Sequence, residues 1–385
     1  MTVRVSKPAF NIRQKLSELD KPVGVKGSEL MKAETIEEAR SFMGSGRRNL
    51  IINGGFDIWQ RATDSGSNTS DGYLSADRWQ HASSGATKQV TRQAFTLGQT
   101  EVPGNPKYFL RYAVTSSHNN VAMRQCIEDV TRTAGRELTF SFWVKGSNCG
   151  GGSFDLQFRQ NFGTGGSASS VVDTGHFSYT VNDIWTRKTF TFTPPSILGK
   201  TLGTAPNSSF YKIELFRQPD GDTSTAAFTL DFANVQLEYG SQATEFEQRT
   251  LDEEYELCQR YYQRAGGLID DGDGFHAHPG WSWSSGSAAT RILFNKKMRA
   301  EPSCTLVGTP ASSSTTPAIG DAGTMGVYGG NSAAWQTPGT WLVSNVNETG
   351  IRLQANSYST FGLGKAVGFY MYPNTGIKCD AELTG

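Results

Sequence analysis

Trp143 lies in the run LTFSFWVK (138–145), on the opposite side of the alternation from Leu138, Phe140, Phe142 and Val144. An aromatic ring outside a strand's apolar face can stack on the C–H face of a pyranose, while amides, carboxylates or guanidinium groups take its hydroxyls. Gln157 and Arg159 occupy the polar side of the next run, so the three residues make a candidate carbohydrate-binding face. The same ring fits a buried role, because aromatics dominate the cores of sandwiches. Further along, Trp281 and Trp283 alternate with Ser282 and Ser284, and Trp335, Trp341 and Tyr358 lie in a polar C-terminal stretch. Exposed aromatics on loops are typical binding anchors, which makes these five candidates for receptor contact. Packing within or between chains is the competing role for them.

Other chemistry is harder to build. Asp270-Asp-Gly-Asp273 resembles the start of a calcium loop but lacks the later Glu and the following helix, so it reads as a turn. His276 and His278 would share one strand face; two imidazoles are too few for a metal unless several chains meet on an axis. Glycan hydrolysis needs two carboxylates about 5–10 Å apart, and no pair sits in a recognisable hydrolase motif. GxSxG, HExxH and a phosphate-binding loop are absent from the sequence. The expectation is a protein that binds and does not catalyse. Cys126, Cys149, Cys258, Cys304 and Cys379 are scattered, odd in number and without metal-ligand spacing, and read as reduced thiols.

Composition sets the frame for these residues. Of 385 residues, 36 are Lys or Arg and 36 are Asp or Glu, so the formal net charge is zero. A nucleic-acid partner would need a positive excess and is not expected. With 43 Gly, 8 Trp and only 19% charged residues, the profile is that of short strands joined by small polar turns. The first thirty residues lack the apolar core, about 7–15 residues long, of a secretory signal. No run of about 18 apolar residues suggests a membrane span.

Residues 1–48 carry ten Lys/Arg against six Asp/Glu and too few apolar side chains for a core. Short helices are expected at 11–20 and 36–43, within an arm that is either flexible or ordered by a partner. From Asn49 the pattern becomes period two. Phe154, Leu156 and Phe158 share one face, as do Phe190 with Phe192 and Tyr211 with Ile213 and Leu215. In FTLDFANVQLE (228–238) the apolar phase switches between Phe232 and Val235, which predicts a β-bulge near Ala233-Asn234. A sandwich or barrel over 49–249 follows. Thr250 and Glu253 form a capping box ahead of a helix expected over 250–267, with Leu251, Tyr255, Cys258 and Tyr262 as its stripe. That stripe packs either on the sandwich or on copies of itself. Residues 268–385 return to strands around a Ser/Thr/Pro-rich surface loop at 308–323 and form a second β domain.

Four runs carry a resemblance: Asn49–Asp57, Leu138–Lys145, Trp185–Thr193 and Leu230–Glu238. In that order they resemble strands of carbohydrate-binding-module jelly rolls, across about 190 residues, the first as the opening strand and the last as the closing one. Gly240–Glu247 with Cys258–Tyr262, then Met298–Pro302 and Asp380–Leu383, resemble runs of phage tail-fibre and appendage proteins. Val5–Arg13 and Lys15–Asp20 resemble N-termini of marine and cyanobacterial phage structural proteins. The resemblance implies a mainly β chain: a jelly-roll β-sandwich, a second C-terminal β domain, a short linking helix and an extended or helical N-terminal arm. It implies a virion protein whose residues 1–48 hold other tail proteins and whose distal part, 268–385, meets a host surface glycan or receptor. A homotrimer and a location on the tail appendage go with it; a head or tail decoration protein without receptor contact is the alternative. A structural calcium between opening and closing strands is also implied, with Asp57 and Asp231 at the ligand positions.

Overall fold

The computed structural model describes residues 47–115, 120–149, 153–217, 227–265, 276–310, 324–329, 334–336, 340–356, 362–371 and 375–383. The arm at 1–46, the acidic run at 270–273, Tyr358 and most of the loop at 308–323 lie outside the described residues.

Ten strands build the jelly roll: β1 (Gln80–Ser84), β2 (Lys88–Ala94), β3 (Tyr108–Val114), β4 (Asn120–Glu128), β5 (Leu138–Ser147), β6 (Ser153–Asn161), β7 (Val172–Thr180), β8 (Thr186–Phe192), β9 (Phe210–Arg217) and β10 (Phe228–Tyr239). A front sheet runs β1-β4-β9-β6-β7 and a back sheet β2-β3-β10-β5-β8. Every pairing between these strands is antiparallel. The period-two phases read from the sequence point inward: Phe140, Phe142, Leu156, Phe158, Ile213 and Leu215 are fully buried in one core. Rings from the two sheets meet there, with Phe158 at 4.2 Å from Phe192 and Tyr112 at 4.7 Å from Phe216, edge contacts and offset stacks that aromatic pairs prefer. The expected bulge is present: β10 slips register against β5 between Ala233 and Gln236, with Asn234 at φ 50°.

Asn49–Asp57, expected as the opening strand, is not a strand. Asn49 replaces the ladder with its side chain: Oδ1 accepts from the backbone N–H of Ile51 and Leu237, and Nδ2 donates to the Val235 carbonyl. β3 pairs with β10 only over Phe228–Phe232, so the groups of Val235 and Leu237 lie beyond its reach, and a short amide fills the gap. Gly54 follows because a Cβ there would collide with the Val235 carbonyl.

The helix α1 is shorter than expected, Leu251–Gln259. Its capping box is complete: Thr250 Oγ1 accepts from the Glu253 N–H, and Glu253 reaches back to the Thr250 N–H. Thr250→Ala is expected to cost about 1 kcal/mol, measured as a lower denaturant midpoint at unchanged slope; an unchanged midpoint would show that the cap contributes nothing. The stripe differs from the expectation. Leu251 and Tyr255 are exposed, and the buried residues are Glu254, Cys258 and Gln259. Glu254 faces inward because it has partners: it takes the Asn53 N–H at 2.5 Å and pairs with Arg249 at 3.2 Å.

Tyr262 belongs to a strand, β11 (Tyr262–Ala265), because the chain end returns to pair with it. The second domain comprises β11, β12 (His276–Ser284), β13 (Ser287–Leu293), β14 (Ser303–Val307), β15 (Thr309–Pro310), β16 (Thr324–Gly329), β17 (Ala334–Gln336), β18 (Thr340–Asn347), β19 (Gly350–Asn356), β20 (Ala366–Met371) and β21 (Gly376–Asp380). A three-stranded sheet runs β11-β21-β14, and an eight-stranded one runs β15-β16-β20-β12-β13-β19-β18 with β17 on β16. Their core gathers Met298, Met325, Ile351, Leu353, Phe369 and Ile377. Cys304 and Cys379 sit directly opposite on β14 and β21 and form a disulfide, so the expectation of five reduced thiols is corrected. A cross-strand neighbour 75 positions away leaves no trace in local spacing. Cys126, Cys149 and Cys258 are free.

Candidate functional site

The outer face of the front sheet carries a groove of hydrogen-bonding side chains. Alternation on β4, β6 and β9 sends Met123, Phe158 and Ile213 inward, so Arg124, Gln157, Arg159, Lys212 and Glu214 emerge together on the far side. Asp71, Arg124, Arg159, Glu214 and Arg217 line a depression of about 260 Å³. These groups hold one another in place. Arg124 Nε donates to Gln80 at 2.8 Å, and its Nη1 lies 3.6 Å from Glu214. Lys212 reaches Glu214 at 3.5 Å, Arg217 donates to Gln157 at 3.3 Å, and Arg159 donates to Asp173 at 2.6 Å. Burial pulls the Lys212 ammonium below its ordinary pKa, and the cations Arg124 and Arg159 add to this, while Glu214 opposes it. At one edge Asp155 accepts from Ser178 at 2.5 Å and lies 3.3 Å from His176. The result is a preorganised set of guanidinium, amide and carboxylate groups with both donors and acceptors, the chemistry that vicinal hydroxyls match.

Trp143 is not on this face. β5 and β6 are consecutive in the chain but lie in opposite sheets, so the sequence-predicted trio divides: Gln157 and Arg159 in front, Trp143 behind. On the back sheet Trp143 is half-buried against a small cluster of Val102, Phe109 and Trp185. It borders a second cleft of about 320 Å³, lined among others by Asp57, Lys107, Arg187, Glu245 and Phe246. Arg187 is fixed by Ser141 Oγ at 3.1 Å and by the Thr244 carbonyl. Asp57 is half-buried and accepts no hydrogen bond from any described residue. Burial, with Glu254 nearby, pushes its carboxyl above the usual range, while Lys107 and Arg92 draw it back.

The two carboxylates at the implied calcium positions differ in their partners. Both oxygens of Asp231 are taken by Arg111 at 2.8 Å, with Lys145 at 4.0 Å. Asp231 therefore neutralises cations on the back sheet, whereas Asp57 faces the cleft. Among the described residues no group of three His, Cys, Asp or Glu could hold a metal ion.

The C-terminal aromatics also part company. Trp281 is 55% exposed, and Trp283 lies under the Arg352 guanidinium at 4.4 Å. Trp341 is half-buried: it packs edge-on to Phe369 at 5.7 Å, against the second core. Trp335 lies on β17 opposite Tyr328. His278 is on β12 with His276, across from β20. Sequence reasoning missed Arg124 and Arg217 in front and Arg187 and Lys107 behind. The alternation of FYKIELF had already placed Lys212 and Glu214 on the outer side; extending it to NVAMRQC would have placed Arg124 beside them.

No protein-family model matches the chain, and no curated protein matches it. Solved structures of similar fold include a family 4 carbohydrate-binding module, at 14% identity over 49% of this chain and 99% of that one, with a TM-score of 0.29. The N-terminal cellulose-binding domain of Cellulomonas fimi β-1,4-glucanase C is 18% identical over 37% of this chain and 88% of that one, with a TM-score of 0.27. The enzymatically active domain of tailspike protein 4 of bacteriophage CBA120 is 16% identical, with a TM-score of 0.30; the match spans 50% of this chain and 21% of that one. Among the described residues no helix is long and apolar enough to cross a membrane.

Proposed function

We propose that this chain is a glycan-binding structural protein of a phage tail appendage that holds carbohydrate without cleaving it. The front-sheet groove carries the binding reading: three arginines and two carboxylates, Asp71 and Glu214, line one open depression, and each arginine is already oriented by a neighbour. Arg–carboxylate and Arg–amide pairs offer fixed donor–acceptor spacings, and hydroxyl pairs on a sugar ring bridge such spacings directly. The assignment to a phage appendage rests on the sequence resemblance, with residues 1–48 as the virion attachment and assembly as a trimer.

Binding of the full chain to immobilised host-surface polysaccharides tests the first part. Arg124→Ala with Glu214→Gln is expected to weaken capture at least about tenfold, a loss of about 1.4 kcal/mol, with a cooperative melt retained at a lower temperature because the buried Lys212 loses its carboxylate partner. Undiminished capture would remove the groove from the function. Release of reducing ends from the polysaccharide would replace the binding reading with a depolymerase. Failure of the protein to compete with phage adsorption would favour a decoration role.

A further inference from the structure

The back-sheet cleft stands apart from the front groove, and neither needs the other. Trp143 lies in a half-buried position with its body braced by Val102, Phe109 and Trp185. Such bracing holds an indole rigid, so little side-chain entropy is lost when a ligand packs on it. The walls are the segment with Pro103, Gly104, Pro106 and Lys107 on one side and Glu245, Phe246 and Gln248 on the other. Between them the space is about 320 Å³, the lower end of small-ligand cavities. The charged lining balances: Asp57 and Glu245 against Lys107 and Arg187. Arg187 is already committed to Ser141 and Thr244. The Asp57 carboxylate is different, since it is half-buried and no described donor reaches it. A carboxylate held that way gains most from hydroxyl donors brought by a ligand.

We infer that this cleft is a second saccharide site, taking a single neutral pyranose whose C–H face lies on Trp143 and whose hydroxyl pair is held by Asp57. Balanced charge disfavours an ionic ligand, and walls on both sides favour the end of a glycan over a crossing chain. Two sites on opposite sheets would let one subunit engage two branches, multiplying weak affinities.

Methyl glycosides of glucose, galactose, mannose and N-acetylglucosamine serve as probes, by saturation-transfer NMR and calorimetry on the full chain. The Arg124→Ala, Glu214→Gln protein is used throughout, so that front-groove binding is weakened at least about tenfold. At least one glycoside is expected to bind it saturably. Trp143→Ala and Asp57→Asn are each expected to weaken that binding about tenfold or more, which is about 1.4 kcal/mol. Gly55→Val provides a check that leaves both residues intact. A Cβ at Gly55 would lie 3.0 Å from the Asp57 carboxylate and 3.6 Å from the Phe246 ring, so the larger side chain fills the cleft floor. Unchanged melting temperatures for Asp57→Asn and Gly55→Val separate lost binding from lost folding. No binding to the front-groove variant, or binding that survives both Trp143→Ala and Gly55→Val, overturns the inference. The front groove is judged separately, by polysaccharide capture.

Discussion

Arg78→Ala is expected to lower the unfolding free energy by about 3–5 kcal/mol, the range for breaking a buried ion pair. Arg78 is 0% exposed and its partner Glu382 is 2% exposed. The pair joins the jelly roll to the last described residues of the chain. Arg78 also stacks its guanidinium over Tyr261 at 3.4 Å and donates to the Cys126 carbonyl at 2.6 Å. Around it, Arg61 lies over Tyr262 at 3.8 Å and reaches Asp380 at 2.9 Å. Arg299 donates to the carbonyls of Ala381 and Asn207, each at 2.6 Å. Tyr73 donates to the Leu383 carbonyl at 2.6 Å. Removing Arg78 leaves the buried Glu382 carboxylate with only the longer contact to Arg61, at 3.5 Å. Lys297→Ala supplies the contrast: its pair with Glu348 is 2.6 Å long but 66% and 37% exposed, so its loss should cost under about 1 kcal/mol. Urea unfolding of the two variants decides the matter. Equal small losses would mean that water reaches the Arg78 pair.

Such a clamp explains why the sequence did not reveal how the two β units join. Arg61 and Arg78 lie 321 and 304 positions from Glu382 in the chain, and nothing local marks them as its partners. What was legible was local. Inward phases on β5, β6, β9 and β10, the bulge at Ala233 and the Thr250 cap all depend on neighbours a few residues away. The end of α1 was not, because Tyr262–Ala265 has a helical sequence pattern but a strand partner at 377–380. Tertiary pairing overrides propensity there.

The same division runs through the sites. Alternation correctly put Trp143, Gln157 and Arg159 on outer faces. It could not say that they were different faces, because that depends on sheet order. A jelly roll sends the chain from the back sheet to the front between β5 and β6, so sequence neighbours become opposites. In return it gathers Arg124, Glu214 and Gln157 from three separate strands. Asp57, which the resemblance places at a calcium position, lines an aromatic cleft in the structure, a setting that no local pattern announces.

Acid should destabilise the jelly roll through His81. The imidazole is fully buried, its Nε2 lies 3.1 Å from Ser75 Oγ, and it packs edge-on to Tyr112. Burial, reinforced by Lys88 and Arg61, pushes its pKa down to about 3 from the ordinary 6.5. The folded protein therefore keeps a neutral ring at pH values where the unfolded chain takes up a proton. Stability is fully present above about pH 6.5 and falls as pH drops from there toward about 3. Between pH 7 and 4.5 the loss from this one residue is about 2–3 kcal/mol, at about 1.4 kcal/mol per pH unit below 6.5. His81→Gln keeps a hydrogen-bonding partner for Ser75 and does not titrate. It should therefore lower stability at pH 7 by some amount yet show a flatter decline on acidification. Asp77, whose burial raises its carboxyl pKa, works in the opposite direction but is present in both proteins and cancels in the comparison. Denaturant unfolding at pH 7, 5.5 and 4.5 reads the difference. Parallel declines in the two proteins would place the acid sensitivity elsewhere and would require His81 to be protonated, or solvated, within the fold.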